Sequence, residues 1–149
     1  MKRAVLDTNV IVSSVLSKRG APFHLMEAWH TSRFIFVTSE DIIKEVGRVL
    51  SEPRLKETFH ITEQRINRII ETLSLDAVLA YGNANASGAV PDDPSDEMFL
   101  VAALNGNAST IVSGDKHLLD LGTFRAITIL RPRQFLYQLE EESGRGEST

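Results

Sequence analysis

Four carboxylates in this chain stand where a hard cation could be held. Asp7 follows the apolar run Ala4-Val5-Leu6, and Asp115 follows Thr110-Ile111-Val112-Ser113-Gly114. Asp96 belongs to the acidic block Asp92-Asp93-Pro94-Ser95-Asp96-Glu97, and Glu45 falls at the edge of the apolar stripe Ile42, Val46, Val49 and Leu50. Mg2+ and Mn2+ take oxygen ligands and keep several waters. With one or two such ions, the chemistry that follows is hydrolysis of a phosphodiester: one ion orients and activates water, the other stabilises the leaving oxygen. Each position also has a plainer use. Asp7, Asn9 and Asp115 suit helix N-caps. Asp93, Pro94 and Asp96 make a good helix start. A carboxylate at the rim of a buried face, like Glu45, often just reaches out to water. Singly, none of the four decides between these uses. Jointly they favour a cation, because crowded acids repel and take up protons unless one is present.

The surrounding pattern says how such residues could meet. Apolar or β-branched runs at residues 4–6, 34–37, 77–81, 109–112 and 127–130 read as strands. Helices are expected over 10–16, 22–29, 39–51, from Thr62 onward, from Asp93 to Leu104, and from Pro132 to Glu141, with a short one over 116–121. The Thr62 helix carries Ile66, Ile69, Ile70 and Leu73 on one face. Strands alternating with helices imply crossovers, a mostly parallel sheet and helices on both faces. Ligands in such sheets sit outside the carboxyl ends of the strands, where strand order reverses. Asp7 and Asp115 both follow strands directly, so that rule draws them together.

The order of these blocks resembles the PIN-domain nucleases. The resemblance rests on Ala4-Val5-Leu6-Asp7-Thr8-Asn9, Ser39-Glu40-Asp41-Ile42-Ile43-Lys44-Glu45-Val46, Asp93-Pro94-Ser95-Asp96-Glu97-Met98-Phe99-Leu100 and Ile111-Val112-Ser113-Gly114-Asp115-Lys116-His117-Leu118-Leu119. It spans roughly residues 3 to 136, and is closest to the bacterial and archaeal subgroup of toxins from toxin–antitoxin systems. The resemblance implies a three-layer α/β/α fold with a five-stranded, mostly parallel sheet, and Mg2+- or Mn2+-dependent cleavage of RNA, usually single-stranded. It carries the acidic quartet onto Asp7, Glu45, Asp96 and Asp115 as metal ligands and catalytic residues, with Asp7 and Asp96 the firmest. Asn9, Asp93 and Ser113 become groups that orient those ligands by hydrogen bonds. The family commonly has Thr where Ser113 stands, so the hydroxyl is kept. Homodimers and a cognate antitoxin partner are further implications.

The remaining features bound the reading. The chain has 149 residues, enough for one domain, here placed over 1–139 with a flexible tail at 140–149. Cysteine is absent, which excludes disulfides, thiolate metal sites and thiol catalysis. No apolar run approaches the ~18 residues of a membrane span, and Asp7 interrupts the N-terminal apolar stretch too early for a signal peptide. A cytoplasmic protein is expected. Sixteen basic against twenty acidic residues give a net charge of −4, so any nucleic-acid contact must be local. Arg48, Arg54, Lys56, Arg65 and Arg68 could hold phosphates, but a solvated helix face with ion pairs is the better reading of them. Lys18 and Arg19 could reach a substrate from a loop. The four histidines show no ligand spacing. Trp29, Phe34 and Phe36 read as core, with a self-association patch as the other use. The loop at 82–90 is long, small and featureless.

Two rival functions stand beside the nuclease reading. A haloacid-dehalogenase-like phosphatase also has an Asp after its first strand, but needs a second Asp two residues later as general acid, where this chain has Asn9. A catalytically silent PIN-like binding module would not need an intact quartet.

Overall fold

A computed structural model describes residues 1–147, with side chains to residue 144. The chain opens with β1 (Arg3–Leu6), α1 (Thr8–Leu16) and α2 (Ala21–His30). β2 (Ile35–Thr38) is followed by α3 (Glu40–Leu50), α4 (Pro53–Phe59) and α5 (Glu63–Asp76), then by β3 (Val78–Leu79). A 3-10 turn at Pro94–Asp96 leads into α6 (Glu97–Asn105) and β4 (Thr110–Val112). α7 (Lys116–Leu121), β5 (Thr123–Phe124), β6 (Ile127–Leu130) and α8 (Pro132–Glu147) complete the chain.

The sheet has six strands in the order β3-β2-β1-β4-β6-β5, against the five expected. The extra strand is β5, two residues long and antiparallel to β6. Its sequence, Thr123-Phe124, is too short to carry a strand pattern, and pairing with β6 alone makes it one. Every other pairing is parallel. From β1 the chain adds β2 and β3 on one side, then β4 and β6 on the other. Strand order therefore reverses between β1 and β4, and a crevice at their carboxyl ends is the place for a site.

Apolar residues of both faces make one core, with Phe34, Phe36, Leu25, Ile42, Leu100 and Phe135 among its fully buried side chains. Phe34 and Phe36 are thus core, as expected, while Trp29 packs edge-on against Phe36 at 4.9 Å and is half-buried. Central parallel strands are covered on both faces, which is why β1 carries Ala4-Val5-Leu6 and β4 carries Ile111-Val112, with the Thr110 side chain buried among them.

Three local expectations change. Pro53 does not merely stop the preceding helix; it stands first in α4, where its missing N–H costs nothing. α4 buries no residue, so periodicity gave no signal for it. The 82–90 loop is not featureless: Ala86 and Val90 are buried, and the Glu97 Oε1 and Asn105 Oδ1 atoms accept from Gly88 N–H at 2.8 Å and Ala84 N–H at 3.0 Å. The last helix, expected to end at Glu141, continues as α8 to Glu147. Residues 148 and 149 of the expected tail lie outside the described residues. No described helix is long and apolar enough to cross a membrane.

Candidate functional site

β1 ends at Leu6, and the next residue, Asp7, is both the N-cap of α1 and a side chain of the crevice. Its Oδ1 accepts from Val10 N–H at 2.8 Å. Its Oδ2 accepts from the Ser113 hydroxyl, just beyond β4. Ser113 Oγ in turn accepts from Asp115 N–H at 2.9 Å. One buried hydroxyl thus ties the acid after β1 to the acid after β4, and the two are brought together because β1 and β4 are neighbours. Asp7 is only 2% exposed. Burial pushes its carboxyl above the usual range, the hydrogen bonds from Ser113 and the backbone pull against that, and the Asp115 charge adds to it.

Asp115 also keeps its capping role: its Oδ1 accepts from His117 N–H at 2.7 Å at the start of α7. A carboxylate has two oxygens, so capping and facing a ligand are compatible uses. The sequence posed them as alternatives, and the geometry allows both.

The Asp93–Asp96 segment behaves differently from a standard helix start. It is a 3-10 turn, closed by Asp96 N–H to Asp93 C=O at 3.0 Å, in which side chains three apart stand above one another. Asp93 does not cap through its side chain, which instead accepts from the Ser95 hydroxyl. One oxygen each from Asp93, Asp96 and Asp115 lie within 4.8 Å of one another. Asp96 is 7% exposed, and its Oδ2 is buried with no hydrogen-bond partner. Burial, then the neighbouring charges of Asp115 and Asp93, the close approach of the Asp115 carboxyl and the charge of Asp7, push its carboxyl up to about 7.

Glu45 lines the same cavity from α3 but is not part of that tight group. Both its oxygens are taken by Arg48 one turn along, at 3.0 Å from Nε and 2.5 Å from Nη2. The Arg48 guanidinium holds the Glu45 carboxyl below its usual range. The cavity has a volume of about 340 Å3 and is walled by Asp7, Asn9, Glu45, Asp93, Asp96 and Asp115. All four quartet positions therefore face one space, with Asp7 deepest and Glu45 at the rim. Asn9 is exposed on its wall. Asp93, expected to orient a ligand, stands instead among the closest carboxylates. Thr8 was not anticipated: it lines the cavity, and its buried Oγ1 has no partner. The only sequence signal for it was its place directly after Asp7.

Unpartnered buried acceptors are costly and uncommon, and each calls for a reason. Asp96 Oδ2 is such an acceptor. One Asp96 oxygen also stands with oxygens of Asp93 and Asp115, and an oxygen-rich, hydroxyl-edged cavity has the donor set of a hard divalent cation. The residues present fit that group. Several of the basic residues stand in the ion pairs expected of a solvated helix face. Arg48 bonds Glu45 and Glu52, Lys56 bonds Glu63, and Arg65 donates to Val15 C=O.

Ser113→Ala is expected to lower stability by about 1–2 kcal/mol, because Asp7 Oδ2 and Asp115 N–H both lose a buried partner. Urea unfolding of the two proteins measures this. An unchanged midpoint would mean that the hydroxyl bridge has no energetic role.

The architecture and the site together define an α/β domain with a cation-fitting acidic cluster at the switch point of a doubly wound sheet. The sequence matches the PIN domain family over residues 3–117, which include every quartet position. It is also similar to an uncharacterized protein of Methanocaldococcus jannaschii, 30% identical over 119 residues that cover 80% of this chain and 74% of that protein. The chain belongs to the PIN domain family. PIN domains are generally nucleases that use divalent metals, and a carboxylate cluster able to hold such an ion is present here. Membership removes the ground for a haloacid-dehalogenase-like phosphatase, which rested on the same Asp7 and Asp115.

Proposed function

We propose that this chain is a divalent-metal-dependent endoribonuclease that hydrolyses phosphodiester bonds of single-stranded RNA. The observation that carries the reading is the meeting of Asp7, Glu45, Asp93, Asp96 and Asp115 around one cavity at the β1/β4 switch point, with a buried Asp96 oxygen left without a donor. Asp7, Asp96 and Asp115 are the side chains suited to hold Mg2+ or Mn2+, with Glu45 and Asp93 completing the set directly or through water. Such an ion, when bound, supplies positive charge against the phosphodiester oxygens and activates water for attack.

The chain's own residues do the rest. Ser113 fixes the rotamer of Asp7 and the backbone of Asp115, so that both acids are set before any ligand arrives. Asp96, its carboxyl pushed up to about 7 by burial and by the neighbouring acids, is the group most ready to exchange a proton for a cation. Arg48 keeps Glu45 ionised at the rim. A toxin role, a cognate antitoxin, a homodimer and a cytoplasmic location are the finer parts of the proposal, and they rest on the resemblance of the four sequence blocks to the toxin subgroup.

The test is the chemistry of the product ends. Hydrolysis by water does not use the ribose 2′-hydroxyl, so Mn2+-dependent fragments should carry a simple terminal phosphate. Mass spectrometry of a cleaved single-stranded RNA reads this directly. Fragments ending in 2′,3′-cyclic phosphate, formed equally in chelator, would point to a metal-free ribonuclease and overturn the assignment.

A further inference from the structure

A second cavity, of about 410 Å3, opens beside the acidic one along the same edge of the sheet. It lies at the carboxyl ends of β2 and β3, and Met98 of α6 lines both cavities. Neighbouring strands are about 4.8 Å apart, so a space two strands from β1 is roughly 10 Å from the acids. That is within reach of a base next to a phosphodiester held at those acids. Its floor is apolar, from Ala80, Met98, Val101 and Ala102. Its rim carries Tyr81, an aromatic ring that is 64% exposed and takes no part in the core.

Tyr81 is held in place from both ends. Its hydroxyl donates to Glu40 Oε1 at 3.1 Å. The next residue, Gly82, has φ +156, and a Cβ there would come within 2.6 Å of Asn105 Oδ1. The same Asn105 oxygen accepts from Ala84 N–H, so the backbone leaving Tyr81 is drawn against α6. The other polar groups of the wall are Ser39, Asp41, Glu97 and Asn105, with no Lys or Arg among them. Such a wall repels a phosphate. It suits a flat, uncharged ring with an apolar face and an amino edge, since carboxylates accept from exocyclic amino groups of bases.

We propose that this cavity is a nucleobase subsite: it takes one base adjacent to the cleaved phosphodiester, stacked on Tyr81, and prefers bases with an exocyclic amino group. The inference rests on the ribonuclease reading of the neighbouring cavity and adds which part of the RNA is recognised.

Equilibrium binding of short labelled oligocytidylate and oligouridylate, in Mg2+ and in the non-cleaving Asp7→Asn background, tests it. Cytosine and uracil are the same size and differ by an amino group against a carbonyl. Oligocytidylate should bind several-fold more tightly. Tyr81→Ala should weaken that binding about tenfold, and Tyr81→Phe, which keeps the ring, should restore most of it. With Asp7 intact, Tyr81→Ala should lower kcat/KM for RNA about tenfold relative to that for bis-p-nitrophenyl phosphate, a diester without a base. Undiminished binding by Tyr81→Ala, a preference for uridylate, or an equal loss on both substrates overturns the subsite; cleavage of RNA would then still support the nuclease. Tyr81-dependent binding by a chain that hydrolyses neither substrate leaves the base pocket standing and overturns the nuclease reading.

Discussion

Asp7→Asn should remove metal-dependent RNA cleavage, lowering kcat/KM on the order of a thousandfold or more, while the chain still folds. The two halves of that expectation have separate causes. Asparagine is as good an N-cap as aspartate, so the bond from Val10 N–H survives. Its amide can meet the Ser113 hydroxyl with the donor and acceptor roles exchanged, because that hydroxyl both donates and accepts. Burying a neutral amide also avoids the desolvation that raises the Asp7 carboxyl. What is lost is the negative charge at the deepest point of the cavity, and with it the attraction for a cation. Initial rates on labelled RNA, with a thermal melt of both proteins, check the pair of claims. A variant that fails to fold would make Asp7 a structural cap.

A second large effect is expected from Asp96, and it depends on pH. The Asp96 carboxyl is pushed up to about 7 in the folded protein, against 3.8 for an unperturbed Asp. Between those values the folded state holds a proton that the unfolded state has given up. Stability contributed by this group is therefore greatest near and below pH 4 and falls as pH rises through 7. Above that, the folded chain bears an ionised carboxylate buried beside Asp115 and Asp93. A divalent cation removes that penalty, and by binding only the folded state it adds stability of its own. So Mn2+ should raise the Tm more at pH 8 than at pH 5. Asp96→Asn should melt several degrees above the wild type in chelator at pH 8, with the gap closing toward pH 5, and should lose most of the response to Mn2+. Differential scanning calorimetry at the two pH values reads all of this. Equal Tm gaps at pH 5 and pH 8 would show that Asp96 does not carry the raised carboxyl.

Much of this arrangement is legible from residue types. Apolar runs followed directly by Asp7 and by Ser113-Gly114-Asp115 announce strand ends in a parallel sheet, and the switch-point rule brings them together. Glu45 at the edge of an amphipathic stripe is a matter of 100° per residue. Other parts were hidden for physical reasons. The roles of Asp93 depend on whether Pro94 opens an α-helix or a 3-10 turn, and single-residue patterns do not distinguish the two. The tie between Asp7 and Asp115 passes through Ser113, a long-range contact that spans 106 residues. α4 has no buried face and β5 has only two residues, so neither has a periodicity to read. The pairing of Arg48 with Glu45 is visible as i, i+3 spacing, yet spacing alone does not say that both Glu45 oxygens are engaged.

The proposed role of these carboxylates is to hold the metal with which the chain hydrolyses RNA. Cleavage of a labelled single-stranded RNA tests it most directly, using wild type, Asp7→Asn and Asp96→Asn proteins prepared side by side, each with Mn2+ and with chelator. Cleavage by the wild type in Mn2+ alone is expected, and none by either variant under any condition. Equal cleavage by all three proteins, or wild-type cleavage undiminished by chelator, would contradict it.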